Sequence, residues 1–250
     1  VYDSKLESLI KVANVKRGCF RGFAGMFKAT LESKTEGFIT CHVHDTGSLI
    51  RNIRSGTPVY YVNSRGLGRV TSCDIIAARL NDTLVLLDSR LPNEIFYRIA
   101  RLVYVDSEII REFYIKSPAL RYKVDFMILK PNIEPILVEV KGVNYVDNRG
   151  IALFPNAKSA RASRQLDDLR RLSLMSSSEP RFKAMIVFIV LRGDGREVRP
   201  YASIDRVFAS KLCAYKDIVE YKAYRVRSEL KGSTIHIYYD GEISVKPCDT

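Results

Sequence analysis

The sequence predicts an α+β protein of two domains, a small β-barrel over residues 1–88 and an α/β domain over residues 89–250. Three observations carry this expectation. Before residue 90 the chain is a series of short β-favouring runs separated by turn residues. After residue 90, helical and strand-like patterns alternate. The length of 250 residues and a hydrophobic content of 46% suffice for one large core or two smaller ones.

Phe38–Val43, Pro58–Val62 and Thr83–Leu87 read as strands, and Arg54-Ser-Gly56, Asn63–Gly66 and Asn81-Asp82 read as turns. Strands this short and this closely spaced suit a small barrel. Thr46–Ile53 reads as one short helix within it. Pro92–Arg101 reads as a helix with proline in its first turn. Val124–Leu129 and Ile136–Val140 read as strands joined by Lys130–Pro135. Asn156 or Ser159 is expected to cap a helix that runs to about Leu174, with Leu166, Leu169 and Leu172 as its apolar stripe. Met185–Leu191 is an unbroken apolar run, the pattern of a strand buried on both faces. Ser203–Tyr215 reads as a further helix. The domain boundary is expected near Asp88–Leu91.

The formal net charge is +12, and its distribution is informative: +5 over residues 1–90, +1 over 91–150 and +6 over 151–250. An acid-rich centre in a basic frame is the layout of a polyanion-binding protein, which makes nucleic acid the expected partner. The longest apolar run, Ala184–Leu191, is far too short to span a bilayer, and no basic amphipathic helix with an exposed apolar face stands out. No membrane partner is expected. The N-terminal residues lack the blocks of a secretory signal, so a cytoplasmic location is expected. Cys19, Cys41, Cys73, Cys213 and Cys248 show no zinc spacing, and free thiols are the expectation, with a single disulfide as the alternative for a hyperthermophilic source. A homo-oligomer is possible, though no apolar face can be assigned to it.

The sharpest chemical pattern is Val124-Asp125-Phe126 followed by Glu139-Val140-Lys141. Side chains at i and i+2 of a strand share a face, so Glu139 and Lys141 project together. A hairpin pairing would set Asp125 beside Glu139. Two adjacent carboxylates repel unless a cation joins them, and Mg²⁺ or Mn²⁺ is the natural choice for oxygen ligands. Such an ion activates water and neutralises phosphate charge, while Lys141 would hold the nucleophile or the developing charge. Asp125, Glu139 and Lys141 are therefore the candidate catalytic residues. Asp125 and Glu139, with Glu112 as a less constrained third carboxylate, are the candidate metal ligands. The plainer alternative is a cross-strand salt bridge on a solvated sheet.

Two further segments suit phosphate contact. In Cys41-His-Val-His-Asp-Thr-Gly47, Asp45 or Thr46 would cap the short helix and turn its N–H groups to an anion. Arg51 and Arg54 would add charge there. His42 and His44 share a strand face, but a pair without a third ligand is a weak zinc pattern. In Phe154–Leu166, Lys158, Arg161 and Gln165 share a helical face, Arg164 lies beside them, and Ala162, Leu166 and Leu169 face the sheet.

The ordered motifs His42–Gly47, Leu91-Pro-Asn93, Val124-Asp-Phe126, Glu139-Val-Lys141 and Phe154–Arg161 resemble those of the sugar fermentation stimulation protein A (SfsA) family, in register from about residue 9 to about residue 220. The resemblance implies an N-terminal OB-like barrel and a C-terminal domain similar to PD-(D/E)xK nucleases, with Asp125, Glu139 and Lys141 at the nuclease-type positions. It also implies DNA binding, largely non-specific, with a regulatory role in sugar or maltose metabolism as the non-catalytic alternative to phosphodiester hydrolysis. By motif position, His42, Asp45, Thr46, Gly47 and Asn93 join the nucleic-acid-binding candidates. The chain departs from the family pattern at His44-Asp45, where the family usually carries Pro-Asn, at Asn156 and Gln165, where it carries Asp and His, and at Tyr122-Lys123, where it carries Ser-Arg.

Overall fold

In the computed structural model, residues 7–45, 47, 53–64, 70–117, 120–174 and 181–248 are described. They form two compact units. The first holds residues from 1–91, 191–194 and 225–241, and the second holds residues from 92–190, 195–224 and 242–250.

The first unit is built on β2 (Lys16–Phe23), β3 (Lys28–Ser33), β4 (Gly37–His42), β5 (Pro58–Asn63), β6 (Cys73–Leu80) and β7 (Thr83–Leu86). Alternation gives the strands an inner and an outer face: Ala29, Leu31 and Cys41 are buried, while Lys28, Thr30 and Thr40 lie on the other side. Strand β2 pairs with β3, β3 with β4, β4 with β6, β6 with β5, and β5 with β2. The ring of five strands therefore closes, as in an OB barrel. Register shifts at Phe20/Gly22 and Tyr60/Tyr61 bend the strands enough to close it. Strand β1 (Ile10–Val12) pairs with Ile235–Ile237. The three barrel strands read from the sequence are present, and β2, β3 and β6 are additional. Thr46, Arg51 and most of the short helix expected over 46–53 lie outside the described residues.

The second unit is layered. Its strands are β8 (Glu108–Ser117), β9 (Leu120–Leu129), β10 (Ile136–Val143), β11 (Ile151–Phe154), β12 (Lys183–Val190) and β13 (Glu197–Pro200). Its helices are α1 (Leu91–Val103), α2 (Ala160–Leu174) and α3 (Arg206–Ala214). Strands β8, β9 and β10 are antiparallel neighbours, and β12 lies parallel to β10. Ala184, Ile186, Phe188 and Val190 join Leu166, Leu169 and Leu172 of α2 and Phe208 and Leu212 of α3 in one core. Met185, Val187 and Ile189 are equally buried outside that cluster, so β12 is covered on both faces. Helix α1 buries Ile95, Phe96 and Ile99, and Phe96 meets Phe126 of β9 edge-on at 5.0 Å.

Four of the five cysteines are paired, which corrects the expectation of free thiols. Cys41–Cys73 and Cys213–Cys248 have Cα separations of 4.5 and 4.7 Å, within disulfide reach, and Cys19 is the one left over. Strand pairing brings together residues that no sequence spacing connects: Cys41 and Cys73 are register partners on β4 and β6. Two long strands, β14 (Val219–Lys231) and β15 (Thr234–Val245), occupy a stretch in which no element is expected from sequence patterns. Gly232, at a φ of 59°, permits the two-residue connection between them. No helix among the described residues is long and apolar enough to cross a membrane.

Candidate active site

The β9–β10 ladder runs Ile128↔Ile136, Met127↔Leu137, Phe126↔Val138 and stops there. Asp125 and Glu139 are the next residues on each strand, where the strands part. The Asp125 side chain takes over the ladder's role: its Oδ2 accepts the Val140 N–H at 2.8 Å. Its Oδ1 accepts from Nδ2 of Asn93, in the first turn of α1, at 3.1 Å. Both carboxylate oxygens are thus fixed by groups whose own positions are set by packed elements.

Glu139 lies one step along β10 on the face toward α2, since Leu137 and Val143 at the same parity belong to the α2 core. Its side chain is 4% exposed, and that of Lys141 is 12% exposed. Lys141 Nζ donates to Glu139 Oε1 at 2.8 Å and to Gln165 Oε1 at 2.7 Å. The Gln165 amide nitrogen donates to the same Glu139 oxygen. Tyr122 donates its hydroxyl to Glu139 Oε2 at 3.0 Å. Burial pushes the Glu139 carboxyl above its usual range, Asp125 adds to that, and Lys141 only partly offsets it. Burial also raises the Tyr122 phenol, helped by the Glu139 charge, so it stays a donor.

Asn93, Asp125, Glu139, Lys141, Arg161 and Gln165 line one cleft of about 280 Å³, with Tyr122 behind Glu139 and outside the lining. Of the two expected caps, Ser159 caps α2, its Oγ accepting the Ala162 N–H at 3.1 Å. Asn156 instead donates to Asn144 at 2.8 Å. The Ser159 N–H donates to Asp205 Oδ2 at 3.0 Å, and Asp205 also caps α3. The first turn of α2 is therefore anchored at the cleft's edge, with Ser159 and Arg161 in its lining.

The family models match along this framework. The sugar fermentation stimulation protein RE domain matches residues 90–232, and the SfsA N-terminal OB domain matches residues 26–87. The chain belongs to the SfsA family. A sugar fermentation stimulation protein homolog of Moorella thermoacetica is 32% identical over 217 residues, covering 81% of this chain and 90% of the relative. A homolog of Methanosphaera stadtmanae is 26% identical over 242 residues, covering 94% of this chain and 97% of the relative. The solved structure of Pyrococcus furiosus SfsA in complex with Ca²⁺ shares the fold, with a TM-score of 0.81 at 24% identity over 96% of this chain and 99% of that one.

The other sequence-derived candidates are distributed as follows. Glu112 is not in the cleft. It sits at a positive φ of 54°, and its side chain is 70% exposed and pairs with Lys123 at 3.0 Å. Among the described residues no group of three or more His, Cys, Asp or Glu gathers in a metal-binding cluster. Lys158 and Arg164 are exposed at the start of α2 and do not line the cleft. His42, Asp45, Gly47 and Arg54 belong to the first unit. There Asp45 Oδ1 accepts the Gly47 N–H at 2.7 Å, and His44 lies 2.9 Å from Asp74. Sequence reasoning missed Tyr122, Phe154 and Ser159 as parts of the site. Tyr122, set between Arg121 and Lys123 on β9, carried no pattern that marks it as a partner of Glu139.

Proposed function

We propose that this chain binds nucleic acid, DNA foremost, and hydrolyses its phosphodiester bonds with a divalent cation, Mg²⁺ or Mn²⁺, at Asp125, Glu139 and Lys141. The observation that carries the proposal is the convergence of two carboxylates and one amine where β9 and β10 part. The donor set fits such an ion: two carboxylates from adjacent strands, one of them buried at a cost that a cation would offset. Asp125 and Glu139 would hold the ion, which acidifies bound water and neutralises phosphate charge. That a family member is known in complex with Ca²⁺ supports an oxygen-donor site of this kind.

The chain's own residues do the rest. Lys141 holds the attacking water near the carboxylates or offsets charge developing on the phosphate. Arg161 and the capped first turn of α2 receive the substrate phosphate. Asn93 and the Val140 N–H keep Asp125 oriented. Lys158 and Arg164 add positive charge for the polyanion on the second unit, and Arg54 does so on the first.

A second reading is DNA binding without cleavage, and one observation favours it: both oxygens of Glu139 already accept hydrogen bonds, from Lys141, Gln165 and Tyr122. Incubation of the full chain with single- and double-stranded DNA and RNA in Mg²⁺ or Mn²⁺ separates the two. Cleavage lost in Asp125→Asn and Lys141→Ala supports hydrolysis. Salt-sensitive binding with no product under any condition leaves only the binding reading.

A further inference from the structure

We infer that Glu112, exposed and outside the cleft, is a positioning residue that acts through its backbone: its left-handed conformation reverses the facing of β8 and β9 at Asp125 and so aims Asp125 and Tyr122 at the cleft. The inference rests on the cation site proposed above and names what shapes it. Asn14, Asn81, Asp106 and Asn132 also have positive φ, but they lie outside the strands, and Asn and Asp adopt this conformation readily. Glu112, at a φ of 54°, lies within β8 and is of neither type. Such a conformation persists only where the surrounding packing holds it.

Side-chain facing changes at that step on both strands. Regular alternation keeps residues of one parity on one face. On β8, Ile110 packs against the core beneath α2, and so do Phe113 and Ile115, which have the other parity. Between them, Arg111 lies over the rings of Tyr97 and Phe126, on the α1 side. On β9, Met127 belongs to the α2 core, and so do Val124 and Tyr122, again of the other parity. Phe126 meets Phe96 and Tyr97 of α1 instead. The register pairs Arg111↔Phe126 and Phe113↔Val124 leave Glu112 opposite Asp125. Both strands therefore change parity at one position, with no residue inserted in either.

The cleft depends on this reversal. Tyr122 and Phe126 have the same parity and would share a face in a regular strand. Phe126 is held to α1 by its ring contacts, so regular alternation would carry Tyr122 to the α1 side, away from Glu139. With the reversal, the Tyr122 hydroxyl reaches Glu139 Oε2 at 3.0 Å. Asp125 sits at the turning point itself, where its carboxylate accepts the Val140 N–H at 2.8 Å and the Asn93 amide at 3.1 Å. Irregular strand positions beside a site re-aim side chains in this way. The Glu112 carboxylate takes no part, being 70% exposed and paired with Lys123.

The test is calorimetric titration of the full chain with Mn²⁺ alone, with thermal unfolding measured alongside. Glu112→Asn and Glu112→Gly remove the carboxylate but accept a positive φ, so their Mn²⁺ affinity should stay within about twofold of the unsubstituted chain. Glu112→Val, whose branched Cβ resists that conformation, should weaken Mn²⁺ binding roughly tenfold or more. Glycine lowers stability in a regular strand, whereas Glu112→Gly should hold or raise the unfolding temperature. A Glu112→Val protein that melts earlier but binds Mn²⁺ as before overturns the inference, as does weakened binding in Glu112→Asn or Glu112→Gly. If Glu112→Val does not fold, those two variants decide: affinity and unfolding temperature both kept support the inference, and a fall in either overturns it. Asp125→Asn separates these outcomes from the function proposed above. No Mn²⁺ uptake by the unsubstituted chain, or uptake undiminished in Asp125→Asn, overturns the proposed cation site and this inference together.

Discussion

The hydroxyl of Tyr122 donates to Oε2 of Glu139 at 3.0 Å, and both residues are buried. Lys141 and Gln165 both approach the other oxygen, Oε1. Tyr122 is therefore a positioning residue that fixes which way the glutamate turns. Tyr122→Phe keeps the ring packing and removes one donor to a buried carboxylate, which should cost about 1–3 kcal/mol. Urea unfolding of the two proteins without added cation measures this. A difference below about 0.5 kcal/mol would mean that water replaces the phenol.

The core of this site was legible because its chemistry follows strand arithmetic. Glu139 and Lys141 are two residues apart on β10, and Asp125 is reached by a short connection, so a period of two brings them together. The Leu166, Leu169 and Leu172 stripe was legible for the same kind of reason at helical spacing. What stayed hidden depends on tertiary events. Glu112 is set aside by a single positive φ on β8, which no pattern of neighbours announces. Cys41 and Cys73 meet because β4 and β6 run side by side across the barrel's closure. The β14–β15 hairpin did leave a trace, the Gly232-Ser233 turn, between strands whose polar residues obscured their alternation.

Divalent cation should stabilise the protein through the two cleft carboxylates. Binding to the folded state alone at a hundred times the dissociation constant adds about 2.7 kcal/mol. Thermal unfolding of the unsubstituted chain should shift upward with Mn²⁺, Mg²⁺ or Ca²⁺, and Asp125→Asn should lose most of the shift. An equal shift in both proteins would place the ion elsewhere.

Nucleic-acid affinity should fall linearly with salt on logarithmic axes, by a slope near −0.9 for each duplex phosphate neutralised. Arg161 lines the cleft on the exposed side of α2. Arg161→Ala should reduce the magnitude of that slope by about 1, while Arg149→Ala, whose guanidinium pairs with Asp147 away from the cleft, should leave it unchanged. Titrations of one duplex at four or five salt concentrations suffice. Parallel lines for all three proteins would exclude Arg161 as a phosphate contact.

Glu94 stands beside Asn93 on α1 and accepts from Arg98 at 2.9 Å and from Arg111 of β8 at 2.8 Å. Burial pushes its carboxyl up, but the two guanidiniums outweigh burial and hold it below the ordinary glutamate value. A depressed folded-state pKa contributes stability that is fully present above the unfolded value and is lost as pH falls through the folded value. Glu94→Gln should therefore lower stability by at most about 1 kcal/mol at neutral pH, since the pairs are partly exposed. The difference should vanish in strong acid. A gap between the two melting curves that persists in acid would trace it to packing instead of charge.

The Cys41–Cys73 disulfide closes a chain separation of 32 residues and ties β4 to β6 where the barrel ring closes. Both cysteines are almost fully buried, so mild reductant reaches them only when the barrel opens. Paired substitution by alanine is the cleaner probe. Releasing a loop of this length returns entropy to the unfolded chain, and the folded barrel should lose about 2–4 kcal/mol. The Cys213–Cys248 bridge, with a separation of 35, closes a loop of similar size. Cys248 lies three residues past the last residue of β15, outside the paired strands, so the loss of this bridge should have the smaller effect. Denaturant curves of the two paired variants decide the order. Equal losses would mean that loop length alone, and not the bridge's place at the ring closure, sets what each disulfide contributes.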